Sequence, residues 1–315
     1  MKFKKEKINL VTGGAGFLGS NLINSLMQKD EVVICLDNLF TGNLDNIKEW
    51  INHPNFKFIK HDIVEPIKLD VDKIWHLACP ASPIHYQINP IKTSKTSFLG
   101  TYNMLGLAKK NKAKLLLAST SEIYGDPQVN PQTENYNGSV NTTGIRSCYD
   151  EGKRIAETLC SDYKRIHNLD IRIMRIFNTF GPMMRSDDGR VISNFIVQAL
   201  KGDPLTIYGD GNQSRSFCYV DDLIRGMIKL MESNYTDPIN IGNPKQYSII
   251  EIANIIRSEI NPNLDFIYKA LPQDDPMQRQ PDIKKAISEL NWLPETSFYD
   301  GLKLTIKWFE SILEK

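Results

Sequence analysis

The sequence lacks the features of several protein classes. Its 315 residues hold 38 Lys and Arg against 37 Asp and Glu, and so small a net charge gives no sign of a nucleic-acid or anionic-membrane partner. No apolar run approaches the length of a membrane span. The first apolar run ends at Gly13 and is too short for the core of a signal peptide. These absences predict a cytoplasmic protein with neither nucleic acid nor membrane as partner.

Cysteine is scarce and histidine is scattered. The five cysteines form no C-x-x-C pair, and several lie in apolar runs, so we expect reduced, packed thiols of an intracellular protein. Neither residue type shows the spacing of a metal site, so no metal is expected. The chain is longer than one hydrophobic core usually holds, which predicts two lobes.

A glycine-rich stretch follows the first apolar run. Gly13, Gly16 and Gly19 stand between a short strand pattern at 8–11 and a helical pattern that begins near Leu18. In such a turn the first glycine permits a sharp bend, the second lets a pyrophosphate approach, and the third lets helix and strand pack closely. The helix N-terminus favours phosphate. This context predicts a dinucleotide site, and the alternative is a tight turn without a ligand.

The second predicted strand ends at an acid. Asp37 follows the apolar run 32–36 and lies eighteen positions after Gly19, close to the offset of the acid that binds an adenosine ribose 2′-hydroxyl. A carboxylate there repels a 2′-phosphate, which favours NAD over NADP. The alternative is an Asp that only forms a turn before Asn38.

Strand and helix patterns alternate through the first half of the chain. This alternation predicts an α/β fold, a Rossmann-type doubly wound parallel sheet with a smaller C-terminal α/β substrate lobe. The composition changes near Asn178. We therefore expect a dinucleotide-binding domain at 1–177, with segments near 217–243 returning to it, and a substrate lobe over most of 178–315.

A second constellation opens a later helix. Tyr149 and Lys153 are four residues apart, so they share one helix face. A nearby ammonium favours the phenolate and brings a tyrosine general base closer to neutral pH. The alternative is an ordinary surface pair. Loop arginines after Asn178 suit a substrate that bears phosphate, because a guanidinium binds two oxygens at once.

Longer motifs carry a resemblance to a known family. The chain resembles the extended short-chain dehydrogenases/reductases and, within them, the UDP-glucuronate decarboxylases (UDP-xylose synthases) over nearly its full length. The fingerprint T-G-G-A-G-F-L-G and the Tyr149/Lys153 pair mark only the superfamily. The more specific motifs are D-N-L-F-T-G (37–42), H-D-I-V-E-P (61–66), P-A-S-P (80–83), L-L-L-A-S-T-S-E-I-Y-G-D-P (115–127), C-Y-D-E-G-K-R-x-A-E-T (148–158), R-I-F-N-T-F-G-P (175–182) and Q-D-D-P-x-x-R-x-P-D-I (273–283).

The resemblance implies roles for particular residues. It implies NAD as cofactor, held by Gly13, Gly16, Phe17, Leu18, Asp37, Asn38, Phe40, Thr41, Gly42, Asp62, Ile63, Leu77, Thr96, Tyr149, Lys153 and Thr179. It implies a UDP-sugar held by Lys95, Asn103, Tyr149, Asn178, Arg190, Arg215 and Arg279. The catalytic residues would be Tyr149, Lys153, Thr120, Glu122 and Arg279, with Tyr149 as the base and Arg279 near the sugar carboxylate. For Arg279, the alternative is a surface arginine paired with Asp274 or Asp275.

The implied activity is decarboxylation of UDP-glucuronate to UDP-xylose through a 4-keto intermediate. A sugar-nucleotide 4-epimerase, a 4,6-dehydratase and a non-catalytic NAD-responsive protein are the alternatives. Thr120-Ser121-Glu122 argues against the dehydratase, which typically has Thr-Asp-Glu there. The resemblance also implies a homodimer paired through helices near 96–110 and 150–167. The predicted first strand starts close to Met1, so we expect no N-terminal anchor of the kind some eukaryotic relatives carry.

Overall fold

The computed structural model describes residues 7–271 and 278–313. Strands and helices alternate along most of its length. The strands are β1 (Ile8–Thr12), β2 (Val32–Asp37), β3 (Phe56–Lys60), β4 (Lys73–His76), β5 (Lys114–Thr120), β6 (Ile171–Ile176), β7 (Thr179–Phe180), β8 (Leu205–Tyr208), β9 (Ser214–Ser216), β10 (Cys218–Tyr219), β11 (Ile239–Ile241), β12 (Gln246–Ser248), β13 (Phe266–Lys269) and β14 (Gln278–Arg279).

The helices cover both faces of the main sheet and build much of the second lobe. They are α1 (Phe17–Met27), α2 (Pro83–Ile88), α3 (Pro90–Lys95), α4 (Thr101–Asn111), α5 (Ser147–His167), α6 (Val191–Lys201), α7 (Val220–Glu232), α8 (Ile249–Ile260), α9 (Lys284–Leu290) and α10 (Phe298–Leu313). Two 3₁₀ turns, Leu44–Ile47 and Ser121–Tyr124, follow β2 and β5.

Seven parallel strands form the main sheet, in the order β11-β6-β5-β4-β1-β2-β3 over the described residues. Successive side chains of a strand point to opposite faces, and both faces of this sheet are covered. Val11 and Trp75 accordingly belong to the core on the side of α1 and α7, whereas Leu10 and Ile74 belong to the core on the side of α4 and α5. The predicted doubly wound α/β sheet is confirmed.

The chain leaves the main sheet after β6 and returns to it once. Between these points it forms short sheets from β7 with β10, from β8 with β13, and from β9 between β12 and β14. β11 then pairs with β6 at the edge of the main sheet, and α7 packs against α1. β11 is therefore a strand of the main sheet, although it follows the strands of the short sheets β7 to β10 in the sequence.

Two helical regions of the chain are irregular or short. A π-helical segment, Thr96–Gly100, lies between α3 and α4, and the chain after β2 forms only the 3₁₀ turn Leu44–Ile47. Within the described residues, no helix is both long and apolar enough to cross a membrane.

Candidate active site

A cavity of about 620 Å³ lies at the carboxyl ends of the main strands. Gly13, Asp37, Ala78, Thr120 and Asn178 line it, and each follows or ends a different strand of the sheet. Parallel strands present their carboxyl ends at the same edge, and the crevice outside that edge is where ligands bind in open α/β sheets. The sheet topology thus gathers residues that are far apart in the sequence.

The glycine turn has no room for side chains at two of its positions. Gly13 has a φ of +69°, and a Cβ atom there would lie 2.9 Å from the Ala78 Cα atom. A Cβ atom on Gly19 would lie 2.1 Å from the Gly13 carbonyl oxygen. Gly16 forms the N-cap of α1 in extended conformation with no side-chain cap, so the helix N-terminus faces the cavity. This cradle fits the pyrophosphate of a dinucleotide.

The carboxylate of Asp37 is buried beside that turn. Its Oδ2 atom accepts a hydrogen bond from the Ala15 N–H (3.0 Å) and its Oδ1 atom accepts one from the Leu39 N–H (2.8 Å). Burial raises the pKa of Asp37, and these two backbone bonds oppose the rise. A Cβ atom on Gly42 would lie 2.8 Å from Oδ1, so Gly42 lets the following loop close over the acid.

Tyr149 and Lys153 share the inner face of α5, as their spacing predicts. The Lys153 Nζ atom lies 5.9 Å from the centroid of the Tyr149 ring and donates a hydrogen bond to the Ala118 carbonyl oxygen (2.8 Å). Burial and then the neighbouring Cys79 thiol raise the pKa of Tyr149, whereas a hydrogen bond with Thr120 lowers it. The phenol therefore holds its proton until the site stabilises the phenolate.

A second tyrosine, Tyr86, stacks on Tyr149. The two rings are parallel within 2° and their centroids lie 5.1 Å apart. Tyr86 is only 1% exposed, lines the cavity, and its hydroxyl has no hydrogen-bond partner among the described residues. The stack fixes the plane of the Tyr149 ring, because offset parallel rings have a preferred spacing.

A cluster of opposite charges surrounds the 3₁₀ turn after β5. The Glu122 carboxylate forms ion pairs with Arg279, at 3.0 Å between Oε1 and Nη1, and with Arg146. Burial opposes ionisation of Glu122, but the charges of Arg279, Arg146 and Arg215 lower its pKa to about 2. Glu122 therefore stays ionised at neutral pH and holds both guanidinium groups at the cavity wall.

Arg279 is buried and has partners on the same turn. It is 1% exposed, and its guanidinium donates hydrogen bonds to Ser121 Oγ (3.2 Å) and to the Gly125 carbonyl oxygen (3.2 Å). Its Nε atom has no partner among the described residues. Asp274 and Asp275, its alternative partners in the sequence, lie outside the described residues.

Asp150 follows Tyr149 in the sequence, and its carboxyl group contrasts with that of Glu122. Burial and then repulsion from Glu122 raise its pKa to about 7, while Arg146 lowers it. Its Oδ1 atom is buried without a hydrogen-bond partner in the described part of the chain. The cluster thus contains one carboxylate that ionises easily and one that does not.

Most of the predicted site residues line the one cavity. Those that do are Gly13, Gly16, Phe17, Leu18, Asp37, Asn38, Phe40, Thr41, Asp62, Ile63, Leu77, Thr96, Thr120, Glu122, Tyr149, Lys153, Asn178, Thr179, Arg190, Arg215 and Arg279. Gly42, Lys95 and Asn103 do not line it. Lys95 is exposed on α3, and the Asn103 side chain donates hydrogen bonds to the carbonyl oxygens of Ile63 and Val64.

Sequence reasoning missed two residues at the centre of the site. Arg146 lies three residues before Tyr149 and pairs with Glu122; its place in the polar loop that leads into the Y-x-x-x-K helix was the available signal. Tyr86 lies in the segment after β4, and no local pattern separates it from an ordinary core tyrosine.

The fold and the site together define a class of protein. A glycine turn at a helix N-terminus, an acid at the end of the second strand and a Tyr/Lys pair on one helix face characterise an extended short-chain dehydrogenase/reductase. The family described as GDP-mannose 4,6 dehydratase matches residues 10–305.

Comparison with individual proteins narrows this class. UDP-glucuronic acid decarboxylase 6 of Arabidopsis thaliana is 57% identical over 304 residues, which cover 96% of this chain and 88% of that protein. UDP-glucuronic acid decarboxylase 1 of Xenopus tropicalis is 52% identical, covering 100% of this chain and 75% of that protein. The chain belongs to the UDP-glucuronic acid decarboxylase family.

The chain is also similar to a solved structure from a neighbouring family. UDP-glucuronic acid 4-epimerase from Bacillus cereus, in complex with UDP-glucuronic acid and NAD, has a TM-score of 0.88 and 29% identity. The match covers 97% of this chain and 99% of that chain. The two proteins thus share the whole fold.

Proposed function

We propose that the chain catalyses the NAD-dependent decarboxylation of UDP-glucuronate to UDP-xylose through a UDP-4-keto-pentose. The observation that carries this proposal is the 57% identity to a UDP-glucuronic acid decarboxylase over 96% of the chain. The cavity supports it, since Tyr149, Lys153, Glu122 and Arg279 all line the same space.

The residues of the first lobe fit NAD. The glycine turn and the N-terminus of α1 would accommodate its pyrophosphate, and the Asp37 carboxylate would accept hydrogen bonds from the adenosine ribose hydroxyls. Phe40, Thr41, Asp62, Ile63 and Thr96 line the same part of the cavity. The chemistry that NAD supplies when bound is reversible hydride transfer at C4 of the sugar.

Tyr149 is the general base of the proposed reaction. Its phenolate oxygen takes the proton of the sugar C4 hydroxyl, with Thr120 as its hydrogen-bond partner. Lys153 lies on the same helix face, fixed by the Ala118 carbonyl oxygen, and its positive charge favours the phenolate as the proton moves. The Tyr86 ring stacks on the Tyr149 ring and so restricts the orientation of the ring that carries the Tyr149 hydroxyl.

Removal of hydride and proton at C4 makes the rest of the reaction accessible. The C6 carboxylate is then β to a carbonyl group, so carbon dioxide leaves as the electrons enter an enolate. The enolate takes a proton at C5, and C4 is reduced again. Asn178, Arg190 and Arg215 are the cavity residues we assign to the UDP group, because guanidinium groups bind phosphate oxygens in pairs.

Arg279 positions the sugar carboxylate in this proposal. Its charge is already shared with Glu122, so it can orient a second carboxylate without holding the negative charge tightly. A tight grip would oppose decarboxylation, because the charge leaves the carboxylate as carbon dioxide forms. The Glu122–Arg279 pair therefore suits a step in which the carboxylate must be placed and then released.

The test is incubation of the protein with UDP-glucuronate and NAD, followed by mass spectrometry of the nucleotide sugar. The proposal expects loss of carbon dioxide and formation of a UDP-pentose. A product of unchanged mass but altered C4 configuration would identify a 4-epimerase, the activity named for the B. cereus neighbour. Loss of water would identify a dehydratase, and absence of turnover with intact NAD binding would contradict all three.

The assembly and location of the protein are parts of the same proposal. We assign residues 1–177, with the returning segment near 217–243, to NAD binding and most of 178–315 to the UDP-sugar. Apolar side chains are exposed on the π-helical segment, α4 and α5, namely Phe98, Tyr102, Ile155 and Ile166. This exposed apolar surface supports a homodimer, and sedimentation analysis would test that assembly. The location that we propose for the protein is the cytoplasm.

A further inference from the structure

The segment that carries Arg279 is held from two sides. In the described part of the chain β14 comprises Gln278 and Arg279, which pair with Ser214 and Arg215 of β9 on one side. On the other side lies Gln132, whose N–H donates to the Gln280 carbonyl oxygen (2.8 Å). The Asp282 N–H in turn donates to the Gln132 carbonyl oxygen (2.9 Å).

The side chain of Gln132 adds a third bond to the same segment. Its Oε1 atom accepts a hydrogen bond from the Gln280 N–H (2.9 Å), and its Nε2 atom donates one to the Val129 carbonyl oxygen (2.8 Å). Gln132 is 0% exposed. Its carboxamide therefore joins the turn at 129–132 directly to the backbone that follows Arg279.

Asn240 connects these hydrogen bonds of Gln132 to the 3₁₀ turn that carries Glu122. The Asn240 Nδ2 atom donates to the carbonyl oxygens of Gln132 (3.0 Å) and Asp282 (3.2 Å). The Asn240 Oδ1 atom accepts from the Tyr124 hydroxyl (2.7 Å), and Tyr124 ends the 3₁₀ turn that contains Glu122. Both members of the Glu122–Arg279 pair are thus tied, through buried hydrogen bonds, to Asn240 on the edge strand β11.

We propose that Gln132 is a positioning residue for the reaction: its carboxamide holds the backbone at Gln280 so that Arg279 meets Glu122 and the sugar carboxylate. This inference rests on the proposed function. Without the Oε1 acceptor, the partly buried Gln280 N–H loses its partner, and the backbone at Arg279 and Gln280 shifts to find another. Misplacement of a positioning group by ~1 Å can cost ~10²-fold in rate.

The first test is Gln132→Met, which keeps an unbranched side chain of similar size and removes its three hydrogen bonds, to Val129, Asn130 and Gln280. We expect kcat for carbon dioxide release to fall by at least about tenfold, as misplacement predicts, while NAD binding and KM stay within about threefold. Gln198→Met is the matched control, because the Gln198 carboxamide also accepts from a backbone N–H, that of Thr206, and donates to a neighbour. Equal loss of kcat in both variants would overturn the inference.

The second test asks whether Gln132 acts through Arg279. In an Arg279→Ala background, Gln132→Met should cost little further turnover, since residues that act as a unit are non-additive. Independent, multiplying losses would overturn the inference. The same double-mutant cycle can be measured by urea unfolding, which needs no enzyme activity. There Gln132→Met should lower the free energy of unfolding less in the Arg279→Ala background than in the wild type. If the wild type released no carbon dioxide, the proposed function would be wrong, but the unfolding cycle would still test the inference. Additive effects of the two substitutions on the free energy of unfolding would refute it.

Gln132→Glu supplies a readout that packing alone would not move. A protonated carboxyl group has one acceptor oxygen and one O–H donor, so it can replace the bonds to the Gln280 N–H and the Val129 carbonyl oxygen, although not the longer bond to Asn130 Oδ1. An ionised one sets an oxygen against the Val129 carbonyl oxygen. Turnover of this variant relative to wild type should therefore rise as the pH falls from 8 to 6. A flat ratio together with a normal kcat would contradict the role of the carboxamide.

Discussion

The two halves of the cavity are built in different ways. The dinucleotide half is made of backbone: the glycine turn, the N-terminus of α1 and the N–H groups of Ala15 and Leu39 that bind Asp37. The other half is made of side-chain charges that meet across long stretches of sequence. Glu122 and Arg279 form its central pair, and they are 157 residues apart.

This difference determines how each half can be damaged. A backbone cradle fails when atoms are added, since a Cβ atom on Gly19 would lie 2.1 Å from the Gly13 carbonyl oxygen. A charge cluster fails when one member is removed, because the remaining buried charge is left uncompensated. Substitutions in the second half should therefore change catalysis while NAD binding in the first half survives.

The largest expected effect follows from Tyr149→Phe. The phenyl ring keeps the stack on Tyr86 and the fold, but the base is lost, and loss of a general base typically costs ~10²–10⁴-fold in rate. Carbon dioxide release measures turnover, and calorimetry measures NAD binding, which should be unchanged. A variant that kept more than about a tenth of wild-type turnover would show that Tyr149 is not the base.

Arg279→Ala should have the next largest effect. It removes one partner of the buried Glu122 and the proposed partner of the substrate carboxylate, so we expect turnover of UDP-glucuronate to fall at least ~10²-fold. Arg279→Lys should recover only part of the rate, since lysine lacks the planar fork. Initial carbon dioxide release at saturating NAD is the measurement. Turnover of Arg279→Ala within about threefold of wild type would move the carboxylate site elsewhere.

The same contrast explains what the sequence could predict. The glycine turn, Asp37 and the Tyr149/Lys153 pair each depend on spacing within one strand-turn-helix unit or one helix, so their patterns are visible locally. The pairing of Glu122 with Arg279 and Arg146 depends on how β5, α5 and β14 meet in space, which no local pattern encodes. The resemblance named Glu122 and Arg279, but neither their contact nor the part of Tyr86 could be read from the chain. The sequence signal for Arg146 was only its position just ahead of the Y-x-x-x-K helix.

The preference for NAD over NADP tests the dinucleotide half of the cavity, and its expected size is smaller than the rate effects of Tyr149→Phe and Arg279→Ala. The buried Asp37 carboxylate should repel the 2′-phosphate of NADP, and we expect NAD to bind at least about tenfold more tightly, the equivalent of ~1.4 kcal/mol. Calorimetric titration of both dinucleotides is the measurement, with Asp37→Asn as the variant that should narrow the difference. Equal or tighter binding of NADP to the wild type would mean that the carboxylate does not face the ribose.

The smallest expected effect concerns the pH dependence of stability, and it separates the two carboxylates of the charge cluster. The pKa of Glu122 is lowered to about 2, so its contribution to stability is present above its unfolded pKa near 4.5 and is lost as the pH falls toward 2. The pKa of Asp150 is raised from 3.8 to about 7. The native protein therefore retains the Asp150 proton where the unfolded chain has lost it, and stability falls as the pH rises from about 4 to 7.

Asp150→Asn isolates this second contribution, because an amide resembles the protonated carboxyl group and does not titrate. At pH 5 the folded wild type keeps the Asp150 proton and the unfolded chain has mostly lost it, so the variant should already unfold at a somewhat higher urea concentration than the wild type. At pH 8 the folded wild type carries a buried charge beside Glu122, so the advantage of the variant should be clearly larger. Both pH values lie above the range in which Glu122 titrates, so the ionisation of Glu122 contributes nearly the same stability at both. A difference in urea midpoint that does not change between pH 5 and pH 8 would show that Asp150 ionises as easily in the folded protein as in the unfolded chain.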